Sequence, residues 1–140
     1  MKRIRLLVLL GVIAVALPLG LVFAGNAGAT GSSGAGSSLS INQYADYDFA
    51  GAILDVGLHV TCTGGSGAVD VTVTQAPPET PYPGGAGSGP QIVVCDGQSH
   101  AVAVTIGGFG FDAGKAVATA SLVAPSGDVT VTKQILIKVV

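Results

Sequence analysis

Residues 52–62 read AILDVGLHVTC, and an apolar residue occupies every second position of the stretch, from Ala52 to Cys62. A period of two is typical of a β-strand that buries one face and exposes the other. The face predicted to be buried holds Ala52, Leu54, Val56, Leu58, Val60 and Cys62. The opposite face holds Ile53, Asp55, Gly57, His59 and Thr61. The stretch therefore predicts a two-faced strand and favours a protein built from β-sheets.

The same alternation returns several times downstream. It is clearest in residues 69–73, 102–106, 115–123 and 129–139, with a shorter run at 91–95. Turn-forming residues separate these runs, at 63–67, 96–97, 107–114 and 125–128. No segment has the helical period that a crossover between parallel strands requires. We therefore predict an all-β fold, an antiparallel two-sheet sandwich of about six to eight strands that is immunoglobulin-like in general architecture.

The N-terminus has the pattern of an export signal. Lys2, Arg3 and Arg5 precede an apolar run at residues 6–23, and small residues follow up to Ala29. We predict a helical signal peptide over residues 1–29 that is cleaved after Ala29, with a cut after Ala24 as the alternative site. Because the apolar run approaches the length of a membrane span, an uncleaved anchor is the alternative. Both interpretations leave the rest of the chain outside the cytoplasm, secreted in the first case and membrane-anchored in the second.

The remaining chain divides into a linker and one domain. Residues 30–38 are rich in Gly, Ser and Ala, a composition that predicts a flexible linker. Residues 39–140 then form a single domain of common size. Downstream of the signal, three lysines stand against eight carboxylates, a formal net charge of −5. A nucleic-acid-binding role is excluded, because three scattered lysines cannot form the basic patch that phosphates require.

The chain contains two cysteines, Cys62 and Cys95, and both lie in the exported part. An even number of cysteines in a short secreted domain indicates pairing. We predict a Cys62–Cys95 disulfide. The alternative is a pair of buried thiols that act as small apolar side chains.

Four segments carry a resemblance to a known family. They are VTC at residues 60–62, VDVTVTQ at 69–75, VVCDGQSH at 93–100 and FDAGKA at 111–116. Over residues 60–123 the chain resembles an uncharacterised family of small bacterial secreted β-sandwich domains. These domains share a Cys-Gly turn, a strand that ends in Gln, a Cys-Asp-Gly turn and a strand that starts with Gly-x-Ala. The family has no assigned activity, so the resemblance implies the sandwich and the disulfide but no chemistry.

Residues 96–100 bring an aspartate, a serine and a histidine close together in sequence, as hydrolase nucleophile motifs do. That motif needs a helix after the turn, whereas another predicted strand follows here. Ser99 and His100 are neighbours in an extended chain and point to opposite faces, so they cannot easily share a proton. We interpret the segment as an Asp-Gly hairpin turn and predict no catalytic residue.

A metal site receives little support. Asp46 and Asp48 lie on one face of an extended segment with Asp55 nearby, and such carboxylates bind calcium in some secreted sandwiches. Their spacing is not that of an EF-hand, and His59 and His100 are far apart in sequence. The simpler interpretation is a set of solvated charges that discourage edge pairing, with His59 on the surface near Asp55. We predict no metal and no cofactor.

Two irregular segments are candidates for binding. Residues 76–90 form the longest one, and its predicted contact residues are Pro77, Pro78, Tyr82 and Pro83. The alternative is an exposed connection whose prolines limit aggregation and proteolysis. In the second segment, Phe109 and Phe111 alternate with glycines, so we expect both to point the same way, into the core or out as an apolar patch.

The resulting functional prediction is a secreted or cell-surface non-enzymatic module with a structural or protein-binding role and an unidentified extracellular or cell-wall partner. A small secreted hydrolase or other enzyme is the alternative, although few ionisable groups converge. A ligand carrier is a third hypothesis. It requires an apolar pocket, and closely packed Ala and Val side chains leave little room for one.

Overall fold

The computed structural model describes residues 30–32, 36–78, 80, 84–87 and 91–140. Within these residues it contains seven strands and no helix. The strands are β1 (Thr30–Ser32), β2 (Ser38–Asp48), β3 (Ile53–Gln75), β4 (Gly84–Gly87), β5 (Gln91–Gly107), β6 (Gly114–Val123) and β7 (Val129–Val139). The predicted all-β class is confirmed. The predicted signal helix lies outside the described residues, and within them no helix could cross a membrane.

Four strands pair in a closed circuit. β2 pairs with β3, β3 with β6 and β6 with β7, all antiparallel. β7 then returns to β2 in a parallel pair. The prediction of purely antiparallel pairing is wrong at this one place. A parallel pair normally needs a long connection, and here strands β3 to β6 provide it without a crossover helix.

The other strands extend this circuit. β5 pairs with β3, β4 pairs with the last residues of β3, and β1 pairs with β7. β3 is unusually long at 23 residues, and its two parts have different neighbours. Its first part lies between β2 and β5, whereas its last part pairs with β6 and β4. The turn predicted at residues 63–67 is therefore wrong, because β3 continues through it.

Two β-bulges allow these long strands to keep one face in the core. Gly97 and Gln98 of β5 both lie opposite Cys62, between the pairs Thr61–Ser99 and Thr63–Asp96. Gly64 is an extra residue on β3 between the next two pairs. One added residue reverses the alternation of a strand, since the side-chain period is two. The Asp-Gly hairpin predicted at residues 96–97 is therefore wrong, and a bulge occupies its place.

The alternation of buried side chains changes where the bulges lie. In β3 the even-numbered residues from Leu54 to Cys62 are buried, and the odd-numbered ones from Val69 to Gln75 follow. In β5, Val93 and Cys95 are buried before the bulge and Val104 and Ile106 after it. Both halves of each strand therefore contribute to one core.

The core is continuous and is built mainly from Val, Leu, Ile and Ala. The predicted buried face of residues 52–62 is confirmed, since all six of its members are buried. Tyr47 and Phe111 add the large aromatic side chains. The predicted Cys62–Cys95 disulfide is also confirmed, with Cα atoms 4.4 Å apart. It joins β3 to β5 directly beside the bulges.

The start of the described chain is tied to β7. Thr30–Ser32, inside the predicted linker, pairs with Thr132, Val131 and Thr130. The Ser37 and Ser126 hydroxyl oxygens are hydrogen-bonded at 2.7 Å. β2 begins at Ser38, one residue before the predicted start of the domain.

Candidate functional site

Three segments meet at one end of the molecule around the buried ring of Tyr47. We call this region the Tyr47 end; it comprises residues 47–53, 107–113 and 139–140. The Tyr47 hydroxyl donates to the Gly108 carbonyl at 3.3 Å, and the Val140 amide donates to the Tyr47 carbonyl at 3.0 Å. The Gly108 amide donates to the Ala52 carbonyl at 3.0 Å. One side chain and three hydrogen bonds thus hold the β2–β3 turn, the β5–β6 loop and the C-terminal residue together.

Two phenylalanines project from this region into solvent. Phe49 touches the Tyr47 ring edge-on, with centroids 6.4 Å apart, yet 73% of its surface is exposed. Phe109 is 84% exposed, whereas Phe111 is buried and packs against Tyr47 at 5.6 Å. The expectation that Phe109 and Phe111 point the same way is wrong. The segment is not a strand, and the backbone turns at Gly110 between them, where φ is 90°.

The β5–β6 loop is clamped from a second side by two buried polar residues. The Gln75 amide donates to the Asp112 carbonyl at 2.9 Å and accepts from the Asp112 amide at 2.8 Å. The Thr80 hydroxyl donates to the Gly110 carbonyl at 2.7 Å. Gln75 and Thr80 are each 2% exposed. Buried polar groups paired in this way fix the geometry of the loop, because breaking a pair would leave an unsatisfied group.

The described part of the proline-rich segment borders a shallow groove. Pro77 and Pro78 are exposed and joined by a cis peptide bond. The groove has a volume of about 270 Å³, and its lining includes Thr74, Pro77, Pro78, Lys115, Val117 and Gln134. Two of the predicted contact residues, Pro77 and Pro78, therefore line a concave surface. The other two, Tyr82 and Pro83, lie outside the described residues.

The Asp96–His100 pair is well formed but isolated. His100 Nε2 lies 2.7 Å from Asp96 Oδ1, and the same oxygen accepts from the Gln98 amide at 2.9 Å. The hydrogen bond from His100, with help from the Gln98 amide, lowers the pKa of Asp96 below its ordinary value. Both side chains are solvent-accessible. The bulge brings the aspartate and the histidine together, a contact that the expected hairpin did not predict.

Two of the three acidic residues considered for calcium, Asp48 and Asp55, bind different partners. Asp48 Oδ1 accepts from the Ala50 and Gly51 amides at 2.9 and 3.2 Å and so closes the β2–β3 turn. Asp55, which lies opposite Asp46 in register, accepts from the Thr105 hydroxyl at 2.8 Å. His59, expected on the surface near Asp55, is exposed on the same strand. Within the described ranges, no three His, Cys, Asp or Glu side chains are grouped to hold a metal ion.

Sequence reasoning missed Phe49, Gln75 and Thr80 as parts of this site. Phe49 stands in an Ala-Gly turn at the end of a strand, where an aromatic residue without a strand neighbour is a usable signal. Gln75 ends a run of Val and Thr at a position that alternation makes buried, and a buried Gln needs partners. No comparable signal distinguishes Thr80.

Comparisons with known proteins leave the chain without an assigned family. No protein-family model matches it, and no curated protein matches it in sequence.

Proposed function

We propose that this chain is an exported, non-enzymatic module that binds another protein through the Tyr47 end. The observation that carries the proposal is the exposure of Phe49 and Phe109, at 73% and 84%. The core is filled without them, because Tyr47 and Phe111 occupy the interior positions of the same segments. Exposed aromatic side chains that do not serve the core are typical anchors of protein interfaces.

The geometry around the two phenylalanines supports this role. Both project from short connections held by hydrogen bonds. Tyr47 and Gln75 bind the β5–β6 loop that carries Phe109, and the Asp48 carboxylate closes the β2–β3 turn that carries Phe49. A fixed loop loses little conformational entropy on binding, so more of the contact energy appears as affinity. The groove beside Pro77 and Pro78 offers a second contact area, since it is joined to the Tyr47 end through Thr80 and Gly110.

A catalytic role is less well supported than a binding role. Asp96 and His100 are the candidates for general acid and base, and nucleophilic catalysis also needs a hydroxyl or thiol within hydrogen-bond reach. Ser99 follows the two bulge residues and stands opposite Thr61 in the strand pairing. Its side chain is exposed and makes no hydrogen bond to His100 among the contacts of the described residues.

Export is part of the proposal. The basic, apolar and small-residue pattern of residues 1–29 supports it, as does a disulfide in a short domain, because such bonds persist in oxidising compartments. We place the folded domain outside the cytoplasm, as a secreted protein or, if the signal stays uncleaved, at the membrane surface.

We further infer an immunoglobulin-like arrangement of the strands. β2, the first part of β3 and β5 form one paired group, and the last part of β3, β6 and β7 form another. Their chain order corresponds to strands A, B and E and strands C, F and G of immunoglobulin domains. Two features depart from that family: the chain has no Trp, and its disulfide joins β3 to β5 rather than the two groups.

The binding proposal is tested by capture with matched variants. The immobilised domain is exposed to cell-wall and secreted extracts, and a discrete bound protein is quantified. We expect the double variant Phe49→Ser, Phe109→Ser to lose at least about tenfold in affinity, because removal of an interface hot spot costs about 2 kcal/mol or more and about 1.4 kcal/mol corresponds to tenfold. Tyr44→Ser removes an exposed aromatic side chain outside the Tyr47 end, and it should bind like the unmodified domain.

Two outcomes would contradict the proposal. Equal capture by the double variant and the unmodified domain would remove the Tyr47 end as the binding surface. Retention on purified wall polysaccharide that does not depend on Phe49 or Phe109 would replace protein binding with polymer binding. A third variant, Pro77→Ala with Pro78→Ala, separates the contribution of the groove.

A further inference from the structure

One edge of the sheet lacks the features that usually keep sheet edges apart. Among the described strands β5 pairs only with β3, so one side of its backbone has no strand partner. Its first five residues, 91–95, contain no charge and no proline. Natural edge strands are commonly protected by lysines, prolines, inward charges or bulges. In β5 the bulge comes only after this stretch, at Gly97 and Gln98.

The same five residues expose two branched apolar side chains. Ile92 is 67% exposed and Val94 is 56% exposed, whereas Val93 between them is buried. Ala68 of β3 lies between Ile92 and Val123 in the strand pairing, and Val123 is 60% exposed. Ile92 and Val123, together with Ala68, Ala124 and Pro125, line a shallow depression of about 510 Å³. The unpaired edge and the apolar surface thus coincide.

We propose that residues 91–95 pair antiparallel with the same residues of a second copy of this chain, about a twofold axis at Val93. In that register Ile92 of one copy lies opposite Val94 of the other on the outer face, and Val93 lies opposite Val93. Backbone donors and acceptors on the free side of β5 then find partners. No like charges meet, because Asp96 lies beyond the paired stretch.

A second copy suits this edge because the stretch is complementary to itself. It is uncharged, and it is already extended by its pairing with β3. Its two exposed apolar side chains, Ile92 and Val94, are branched and equally spaced on either side of Val93. Branched cross-strand pairs of this kind stabilise antiparallel ladders. Five paired residues bury less than the roughly 800 Å² per partner of a standard stable interface, so the dimer is weak and its population rises with concentration.

The test is sedimentation velocity on the purified, disulfide-bonded domain over about two orders of magnitude in concentration. The unmodified protein should pass from monomer to dimer, and Ile92→Lys should raise the dissociation constant at least about tenfold by placing two lysines in the interface. The matched control is Val117→Lys, which alters an exposed valine on β6, a strand paired on both sides. It should associate like the unmodified protein.

Amide hydrogen exchange on the unmodified protein locates the contact without a mutation. The proposal requires slower exchange in residues 91–95 as concentration rises. A monomer at every concentration, or equal association by Ile92→Lys, overturns it. Protection confined to the Tyr47 end also overturns it, because self-association would then use another surface.

If circular dichroism shows that Ile92→Lys does not fold, Val94→Lys and the exchange experiment still test the proposal. The Phe49 and Phe109 variants should dimerise normally, so failure of this proposal is distinguishable from failure of the binding proposal.

Discussion

At Tyr47 one buried side chain determines the position of two exposed ones. Its ring receives Phe111 from inside and Phe49 from outside, and its hydroxyl holds the Gly108 carbonyl next to Phe109. The aromatic residues of this end therefore divide into a buried pair that stabilises the fold and an exposed pair that is available for contact. That division is the basis of the proposed binding role.

Two adjacent glycines show how much a single Cβ atom matters. Gly64 and Gly65 have φ angles of 104° and 108°, a region that L-amino acids rarely adopt. A Cβ atom at Gly64 would lie 2.7 Å from the Pro125 Cβ atom, whereas a Cβ atom at Gly65 would meet nothing within 4 Å. A side chain at either position strains the backbone, but only a side chain at Gly64 also collides with a neighbour.

We therefore predict that Gly64→Ala is more destabilising than Gly65→Ala. Both alanines add backbone strain of about 1–3 kcal/mol. Gly64→Ala adds the collision with Pro125, and overpacking of this kind costs about 1–3 kcal/mol more. Urea unfolding of the two variants measures the difference in the free energy of unfolding. Equal losses would mean that Pro125 moves aside without cost and would contradict the prediction.

Among the strands, β3 and β5 show how a long strand can contribute buried side chains to one core along its whole length. Each contains one extra residue, Gly64 in β3 and one of the pair Gly97–Gln98 in β5, so both reverse their alternation within a few residues of each other. The Cys62–Cys95 disulfide covalently fixes the two strands at this point. A strand pair is most prone to register slips where its pattern is interrupted, so the bond stands where pairing is weakest.

Removal of this bond should be strongly destabilising. The half-cystines are separated by 33 positions, and closing a loop of that length contributes about 3–4 kcal/mol in the chain-entropy model. The double variant Cys62→Ala, Cys95→Ala should lose at least this much free energy of unfolding, measured in urea.

The matched control for this prediction is the unmodified protein under reducing conditions, which keeps both sulfur atoms. It should lose slightly less free energy of unfolding than the double variant, because its packing is intact. A double variant as stable as the oxidised protein would show that β3 and β5 hold their register without the bond.

For the whole molecule, the proposed protein-binding surface and the proposed self-pairing edge use different residues. The first is the Tyr47 end with Phe49 and Phe109, and the second is the β5 edge with Ile92 and Val94. A dimer formed through β5 would present two Tyr47 ends, and linked binding modules gain avidity when both sites can be engaged.

The exported protein should begin at Thr30. Cleavage after Ala29 leaves β1 complete, since Thr30 is its first residue. Intact-mass measurement of the culture supernatant should give the mass of residues 30–140 with the disulfide formed. Ala27→Leu with Ala29→Leu removes the small residues that signal peptidase needs and should retain the chain in membranes or move the cut. A supernatant protein that begins at Met1, or an unmodified protein found only in membranes, would contradict the prediction.

Local alternation predicted the runs that form β3, β5, β6 and β7, together with their buried faces. It did not predict β1, β2 or β4, and β4 lies inside the segment 76–90 that was expected to be irregular. In residues 52–62 and 129–139 each side chain's environment follows from its own strand, because neighbouring residues must point to opposite faces. The pairing of Cys62 with Cys95 followed from their number and the predicted compartment. Pro77 and Pro78, which were predicted as contact residues, border a groove, and their binding role stays a prediction.

Other features depend on residues that are distant in sequence, and no local pattern contains them. Glycines such as Gly64 and Gly97 suit turns and bulges equally, and the presence of a pairing partner along the whole of β3 selects the bulge. The parallel pair of β2 with β7 closes the circuit between opposite ends of the domain. Phe49 and Phe109 are exposed because Tyr47 and Phe111 already fill the space beneath them. Whether a segment forms a strand is thus decided locally. Which strands close the circuit, and which apolar side chains stay exposed, is decided by distant residues that compete for space in one core.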